Sequence, residues 1–240
     1  MDIREIAALV TGASRGLGRA LAVALAAAGA RVVLVARGEA ELAGVVAEIR
    51  AAGGVAYGLA GDVAEKEAAH RLAGAAASLV GPIDLLVHNA STLGPTPLRL
   101  LLDTDCEDLA AVLETNLVGP FRLTKIIAGS MALRGRGTIV HISSDAAVSA
   151  YPRWGSYGVS KAAQDHLSRT LAAELAGTGV RVLALDPGEM DTVMHRDAIP
   201  EADPATLARP SEVAARVVAI VRSDDARAPS GARLEVSSWS

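Results

Sequence analysis

The chain has 240 residues, of which 51% are hydrophobic and 21% charged, and its formal net charge is −4. This composition is typical of a globular protein, and we expect residues 1–240 to form one domain. The acidic balance and an aromatic content of 2% argue against nucleic-acid binding, which needs clustered basic and stacking side chains. The single cysteine, Cys106, excludes an internal disulfide, and no spacing of the five histidines predicts a metal site.

Charged residues at the start of the chain argue against a targeting segment. Asp2, Arg4 and Glu5 stand where the apolar region of a signal peptide would begin. The uncharged stretch 20–30 is far shorter than the ~20 residues that cross a bilayer. We therefore predict a cytoplasmic protein without a membrane-spanning helix.

Short apolar runs alternate with longer alanine-rich segments of helical period. We predict strands at 7–11, 31–36, 55–58, 84–88, 138–142 and 181–185. We predict helices at 16–28, 39–52, 65–80, 105–133, 157–176 and 211–221. This pattern indicates an α/β fold with a single doubly wound, Rossmann-type parallel sheet of about seven strands and helices on both faces. The proline-containing segment 190–210 fits neither period, and we expect it to form a substrate-binding loop.

The first predicted strand leads into a glycine-rich turn and then into a helix. Gly12 permits a tight turn, Gly16 lets the backbone approach a pyrophosphate, and Gly18 lets the helix pack closely on the sheet. The N-terminus of the helix offers free N–H groups and a positive dipole end to phosphates. These features predict dinucleotide binding, with an ordinary glycine-rich turn as the alternative because the spacing is not G-x-G-x-x-G.

The end of the second strand distinguishes the two nicotinamide dinucleotides. An acidic residue there binds the ribose 2′-hydroxyl of NAD, whereas arginine accommodates the 2′-phosphate of NADP. The sequence reads Val35-Ala36-Arg37, and Arg15 adds a second cation from the glycine turn. Unless both arginines are simply solvated, they favour NADP(H) over NAD(H).

Tyr157 and Lys161 form a candidate acid–base pair. They are four residues apart in a predicted helix, so their side chains share one face. A phenol of pKa ~10 is a poor acid–base group at neutral pH unless a nearby cation such as Lys161 favours its anion. Tyr157 would then protonate a carbonyl oxygen as hydride reaches the carbon, or remove the alcohol proton in the reverse direction.

Together with the glycine turn, the Tyr157-Gly-Val-Ser-Lys161 motif makes the chain resemble the short-chain dehydrogenase/reductase family in its compact form. The resemblance extends from residue 7 to about residue 192, and the motifs occur in the family's order. It implies four catalytic residues, which are Asn116, Ser144, Tyr157 and Lys161. It implies that the cofactor-binding residues are Gly12, Ser14, Arg15, Gly16, Leu17, Gly18, Arg37, Asp62, Val63, Asn89, Ala90, Tyr157, Lys161, Pro187, Gly188 and Thr192.

The resemblance also implies roles for these side chains. Ser144, thirteen residues before Tyr157, would hydrogen-bond the substrate oxygen and stabilise its developing charge, with Ser143 as the alternative. Lys161 would bind the nicotinamide ribose. Asn116 would hold a water molecule through which Lys161 is resupplied with protons. Taken singly, each has an ordinary structural explanation, so the assignment depends on their joint occurrence.

Two segments depart from the family pattern. The sequence His88-Asn-Ala-Ser91 replaces Asn-Asn-Ala-Gly and places a Cβ beside the cofactor path. His88 ends a buried strand, and we expect a hydrogen-bonded structural group rather than a catalytic one. The C-terminal segment 229–240 replaces a glycine-rich strand. We expect residues 234–236 to form the last strand, and the change to affect subunit contacts but not the active site.

The sequence indicates the identity of the substrate less clearly than it indicates the cofactor. We expect residues 190–210 to face Ala150, Tyr151, Arg153 and Trp154 across the pocket, where Arg153 or His195 would favour a polar or anionic substrate unless both are solvated. The sequence predicts an NADP-dependent oxidoreductase acting on a small carbonyl or alcohol, and similarity to sepiapterin- and dicarbonyl-reducing members favours a vicinal dicarbonyl. The alternatives are a 3-oxoacyl thioester reductase and a non-catalytic NADPH-binding sensor or scaffold. Helices 105–133 and 157–176 carry more small and apolar residues than one core-facing stripe needs, and the resemblance implies that they pair across a two-fold axis, so we predict a homodimer or homotetramer.

Overall fold

A computed structural model describes residues 3–4, 6–224 and 226–239, so Asp2 and Glu5 lie outside the described residues. Its strands form one parallel sheet in the order β3-β2-β1-β4-β5-β6-β7. The strands are β1 Ala7–Thr11, β2 Arg31–Ala36, β3 Val55–Ala60, β4 Leu85–His88, β5 Gly137–Ile142, β6 Val180–Asp186 and β7 Arg233–Glu235. The chain leaves β1 toward one edge and returns at β4 toward the other, which confirms the doubly wound prediction.

Helices cover both faces of the sheet. They are α1 Gly16–Ala27, α2 Glu39–Ala51, α3 Ala68–Val80, α4 Cys106–Leu113, α5 Gly119–Leu133, α6 Gly155–Glu174, α7 Val193–Ala198 and α8 Pro210–Arg222. Val10 of β1 packs in a core with α1, α2 and α8, while Leu9 packs on the opposite face with α3 and α5. All five residues of β1 are buried because both of its faces are covered, which explains the absence of polar alternation.

The predicted helix 105–133 is interrupted. α4 ends at Leu113, a π-helical turn spans Glu114–Val118, and α5 begins at Gly119. Pro120 has no N–H to donate to the carbonyl of Asn116 four residues earlier, so the regular α-helical bond cannot form there. The prediction of one continuous helix was therefore wrong, and the cause is visible in the sequence.

Smaller corrections concern the ends of elements. α3 begins at Ala68 rather than at residue 65, and β7 spans Arg233–Glu235 rather than 234–236. Residues 190–210 contain α7 and a 3-10 turn at Pro204–Thr206, and a parallel bridge joins Met190 to Ala208. The predicted loop is thus an ordered segment with a short helix, and its two ends are hydrogen-bonded to each other. Among the described helices, none has the length and apolar character needed to cross a membrane.

Candidate active site

A cavity of about 920 Å³ opens at the carboxyl ends of the central strands, where β1 and β4 diverge in chain order. Ligands bind in this crevice in open parallel sheets. Every predicted cofactor-binding residue except Gly18 lines it. Of the four predicted catalytic residues, Ser144, Tyr157 and Lys161 line the cavity, whereas Asn116 is completely buried behind it.

The glycine turn fits the approach of a dinucleotide. Gly12 has φ +66°, and a Cβ there would lie 2.7 Å from the Ala90 Cα. A Cβ on Gly18 would overlap the Gly12 carbonyl oxygen, so this glycine serves helix packing and not the cavity wall. The Asn89 amide donates to the carbonyls of Thr11 and Gly12, at 3.0 and 3.1 Å. The end of β4 thereby holds the turn open in front of the N-terminus of α1, where phosphate oxygens find free N–H groups.

The outer end of the cavity carries charges of both signs. Arg15 and the exposed Arg37 line it as predicted, and Arg37 lies 3.9 Å from the carboxylate of Asp62. Glu41 also lines it, with its carboxylate where a Cβ of Gly38 would be. Sequence reasoning examined only the end of β2 and missed Glu41, which the first turn of α2 brings back to the same place.

Ser144 is held at the cavity by its neighbours. It caps the 3-10 turn Asp145–Ala147, accepting a hydrogen bond from the Ala146 N–H and donating to Asp145 Oδ1 at 2.9 Å. The other Asp145 oxygen accepts a hydrogen bond from the Tyr151 hydroxyl at 2.9 Å. Ser143, the alternative candidate, instead donates its hydroxyl to the buried Asp165 at 2.9 Å. Both serines line the cavity, but Ser143 is buried, whereas Ser144 is partly exposed there.

Burial controls the ionisation of Tyr157. It raises the pKa of the phenol to about 12, against opposing hydrogen bonds from Ser144 and Ser91, while the carboxylates of Asp186 and Asp145 raise the pKa further. The Lys161 Nζ lies 5.6 Å from the ring centroid, and burial outweighs the lowering of this pKa that was expected from that cation. Tyr157 is consequently a neutral phenol with a proton to give at neutral pH.

Lys161 is completely buried apart from its contact with the cavity. Its Nζ donates to the Ile142 carbonyl at 2.6 Å and to Gln164 Oε1 at 3.3 Å. Burial lowers the pKa of Lys161 to about 8, although Asp165 and Asp186 favour its charged form. The ammonium form thus predominates at neutral pH.

Asn116 lies in the π-helical turn and ties the chain after β4 to α6. Its amide accepts a hydrogen bond from the Thr92 N–H at 2.8 Å and donates to the Thr92 carbonyl and to Ser160 Oγ, both at 2.9 Å. Its main-chain carbonyl accepts a hydrogen bond from Gln164 Nε2 at 2.8 Å. Sequence reasoning missed Gln164, although its position three residues after Lys161 places the two on one helix face.

The C-terminal strand contacts residues of the candidate active site, contrary to the expectation that the unusual tail leaves this site unaffected. Arg233 donates to Asp165 Oδ2 at 3.0 Å, to Asp186 Oδ2 at 2.8 Å and to the Ser144 carbonyl at 2.9 Å. This guanidinium lies beneath Ser144 and joins β5, β6 and α6. Nothing in the local sequence pattern indicated this contact.

His88 is the buried structural group that we expected. Its Nε2 lies 2.8 Å from Thr124 Oγ1, and its ring stacks on His141 with centroids 4.8 Å apart. Burial holds the pKa of His88 well below its usual range and lowers that of His141 to about 3. Both rings are therefore neutral, and neither lines the large cavity.

The substrate end of the cavity lies between the segment 190–210, which follows β6, and the segment 150–154, which precedes α6. Met194 and His195 line one side, and Tyr151 and Trp154 line the other, as predicted. Ala150 and Arg153 do not line this cavity, so the expected role of Arg153 in selecting an anionic substrate is not supported. Carboxylates of Asp145 and Glu189 lie on this end instead. In the described part of the chain, no cluster of histidine, cysteine or acidic side chains has metal-site geometry.

Comparisons with known proteins agree with this architecture. The short chain dehydrogenase family model matches residues 6–203. A short chain dehydrogenase of Pseudocercospora fijiensis is 42% identical over 190 residues, which is 77% of this chain but only 60% of that protein. A 3-oxoacyl-[acyl-carrier-protein] reductase of Synechocystis sp. is 39% identical over 216 residues, covering 88% of this chain and 86% of the relative. A structure of an actinorhodin polyketide ketoreductase variant with NADPH has a TM-score of 0.87 and 33% identity, covering 98% of this chain and 97% of that one.

The doubly wound parallel sheet, with the glycine turn and a cavity at the carboxyl ends of its strands, has the architecture of the dinucleotide-binding folds. The chain belongs to the short-chain dehydrogenase/reductase family of oxidoreductases.

Proposed function

We propose that the protein is an NADP(H)-preferring carbonyl reductase or alcohol dehydrogenase. The convergence of Ser144, Tyr157 and Lys161 on one cavity beside the glycine turn carries this proposal. The non-catalytic sensor is the less economical alternative, because nucleotide binding alone does not require an acid–base pair and a polarised hydroxyl at the same place.

The bound cofactor would supply or accept the hydride, and the chain's own residues would manage the proton. Tyr157 donates its phenolic proton to the carbonyl oxygen, while Ser144 hydrogen-bonds that oxygen and stabilises its negative charge. The Lys161 ammonium stabilises the resulting phenolate. Because burial raises the pKa of Tyr157 to about 12, the acid form needed for reduction is present at neutral pH. Oxidation requires the phenolate, so we propose that reduction is the favoured direction near neutral pH.

The preference for NADP(H) rests on Arg15 and Arg37 at the outer end of the cavity. A 2′-phosphate there would gain charge-assisted hydrogen bonds from both guanidinium groups. Glu41 and Asp62 oppose this attraction, so we propose a preference of moderate size rather than exclusion of NADH. The structural neighbour with bound NADPH supports binding of this cofactor class.

The substrate is proposed to be a small neutral carbonyl or alcohol. Trp154 and Met194 offer apolar contacts, and Asp145 and Glu189 disfavour a carboxylate next to the reacting carbon. A vicinal dicarbonyl meets these requirements. A 3-oxoacyl thioester is the second candidate, favoured by the similarity to a 3-oxoacyl-[acyl-carrier-protein] reductase.

The test is a panel of vicinal diketones, simple ketones, aldehydes and 3-oxoacyl thioesters, assayed with NADPH and with NADH. Tyr157→Phe should lower turnover about 10²–10⁴-fold with NADPH affinity nearly unchanged, because it removes only the transferable proton. Ser144→Ala should lower turnover in the same way, and Ser143→Ala much less. NADPH binding without turnover of any compound would establish the sensor alternative, and near-normal turnover by Tyr157→Phe would refute the assigned acid.

A further inference from the structure

A buried carboxamide stands immediately behind the candidate catalytic lysine. Gln164 Oε1 accepts a hydrogen bond from the Lys161 Nζ at 3.3 Å, and Gln164 Nε2 donates to the Asn116 main-chain carbonyl at 2.8 Å. The Gln164 side chain is 1% exposed. It therefore bridges the ammonium group and the π-helical turn directly.

The Asn116 carbonyl is available for this bridge because of the sequence that follows it. In a regular α-helix it would accept from the N–H of residue 120, but Pro120 has none. Gly119 is also required there, because a Cβ would overlap the carbonyl oxygen of Val63. A buried carbonyl without its helical partner needs another donor, and Gln164 supplies it.

We propose that Gln164 is a positioning residue for Lys161, taking the place of the water molecule that was expected between Lys161 and Asn116. The proposal rests on the function proposed above for Lys161. Two of the three ammonium N–H groups are fixed by the Ile142 carbonyl and Gln164, which leaves one for the cavity. The amide oxygen also stabilises the charged form of Lys161, and hence the phenolate of Tyr157.

A carboxamide differs from water in what it can transmit. Water donates and accepts at one oxygen and can pass a proton on, whereas an amide accepts at oxygen and donates at nitrogen and would have to change tautomer to do so. The bridge thus holds Lys161 in place but closes the inner path for its reprotonation. Protons then enter from the cavity side, where Ser144 and the exposed Asp145 are hydrogen-bonded to each other.

The effect of Gln164 on Lys161 can be separated from the effects of the other titratable groups around this lysine. Tyr157 shares its helix face, while Asp165 and Asp186 act on it through their charge. His88 and His141 face it from β4 and β5, and burial keeps both neutral. A variant of Gln164 changes the contact with Lys161 and leaves all these charges in place.

The decisive comparison is between Gln164→Leu and Gln164→Ala. Leucine fills the space without polar atoms, so Lys161 loses an acceptor and no water can enter. Alanine leaves room for a water molecule that has Lys161 Nζ and the Asn116 carbonyl as partners. We expect the leucine variant to lose about 10–100-fold in kcat, and the alanine variant to be clearly more active than the leucine variant. A role in packing alone predicts the opposite order, because leucine preserves the filled volume.

The pH profile of alcohol oxidation gives a second readout. Loss of one acceptor disfavours the Lys161 cation, and this raises the pKa of Tyr157, which must lose its proton before oxidation. The increase of the oxidation rate with pH should therefore shift about one unit to higher pH in Gln164→Leu. Thr124→Val is the matched control, since it removes a buried hydrogen bond to His88 without touching Lys161. Thr124→Val should lower the stability of the protein and leave the pH dependence of oxidation unchanged.

Two results would overturn the proposal. The first is a kcat of Gln164→Leu that equals or exceeds that of Gln164→Ala, together with an oxidation pH profile of Gln164→Leu that is not shifted from that of the wild type. The second is a crystal structure of the wild-type protein with water between the Lys161 Nζ and the Asn116 carbonyl. If the wild-type protein turns over no carbonyl compound, the proposed function fails, while the crystal structure and the pH dependence of NADPH binding in both variants still decide the role of Gln164.

Discussion

Replacing Arg233 by methionine removes a cation that two buried carboxylates share. The guanidinium is 17% exposed, and the side chains of Asp165 and Asp186 are 4% and 7% exposed. Removing one partner of such a buried pair leaves an uncompensated charge and costs about 3–5 kcal/mol. For a chain of this size each kcal/mol lowers Tm by roughly 2–4 °C, so we expect a decrease of about 6–20 °C.

The loss should depend on pH in a defined direction. Burial raises the pKa of Asp165, and a hydrogen bond from Ser143 and the charge of Arg233 oppose that rise. Without the guanidinium, the native pKa of Asp165 moves further above its unfolded value. A carboxyl whose native pKa is raised contributes stability below the unfolded pKa and loses it as pH rises through the native pKa. The difference from wild type should therefore be largest near neutral pH and shrink as pH falls toward about 4–5.

Thermal unfolding followed by circular dichroism at about pH 7 and about pH 5 measures both effects. Glu235→Gln is the control, because it removes an exposed charge from the same strand and should melt like wild type. Arg233→Lys keeps the charge but not the forked geometry and should fall between the two. An Arg233→Met protein that melts within about 2 °C of wild type, or that is destabilised equally at both pH values, would refute the reasoning.

Three further predictions concern the cofactor, the proton and the assembly. Glu41→Gln should raise the preference for NADPH over NADH about threefold to tenfold in fluorescence titrations, and Arg37→Ala should lower it, since exposed charges act weakly; an unchanged ratio in both would contradict the assignment. Asp145→Asn removes a charge that raises the pKa of Tyr157, so the increase of the oxidation rate with pH should move to lower pH. A shift to higher pH would contradict the assigned effect of Asp145. Light scattering at micromolar concentration should show a homodimer or homotetramer, because α5 and α6 leave large apolar side chains exposed, and a monomer would exclude this.

Local sequence was sufficient where the physical cause is local. The bounds of β1 and β2 agree with the predicted 7–11 and 31–36, because unbroken apolar runs flanked by glycine and arginine admit few alternatives. The glycine turn is recognisable because its conformation needs residues without a Cβ, as Gly12 shows with φ +66°. The spacing of Tyr157 and Lys161 places both on one face of α6. The interruption of the helix at Asn116 was also legible, since Pro120 cannot donate its N–H.

Contacts between distant segments were decided only by the tertiary structure. Arg233 reaches the Ser144 carbonyl across 89 residues of sequence, and Gln164 reaches that of Asn116 across 48. Neither pairing has a periodicity or a motif, because it depends on which strand ends meet at one edge of the sheet. The ionisation of Tyr157 also depends on the tertiary structure: the nearby lysine can be predicted from spacing, but the burial that raises the phenol pKa to about 12 comes from the surrounding fold. The sequence thus determined the sheet, the glycine turn and the placement of the proposed acid–base pair on one helix face, while packing determined which charges and amides surround them.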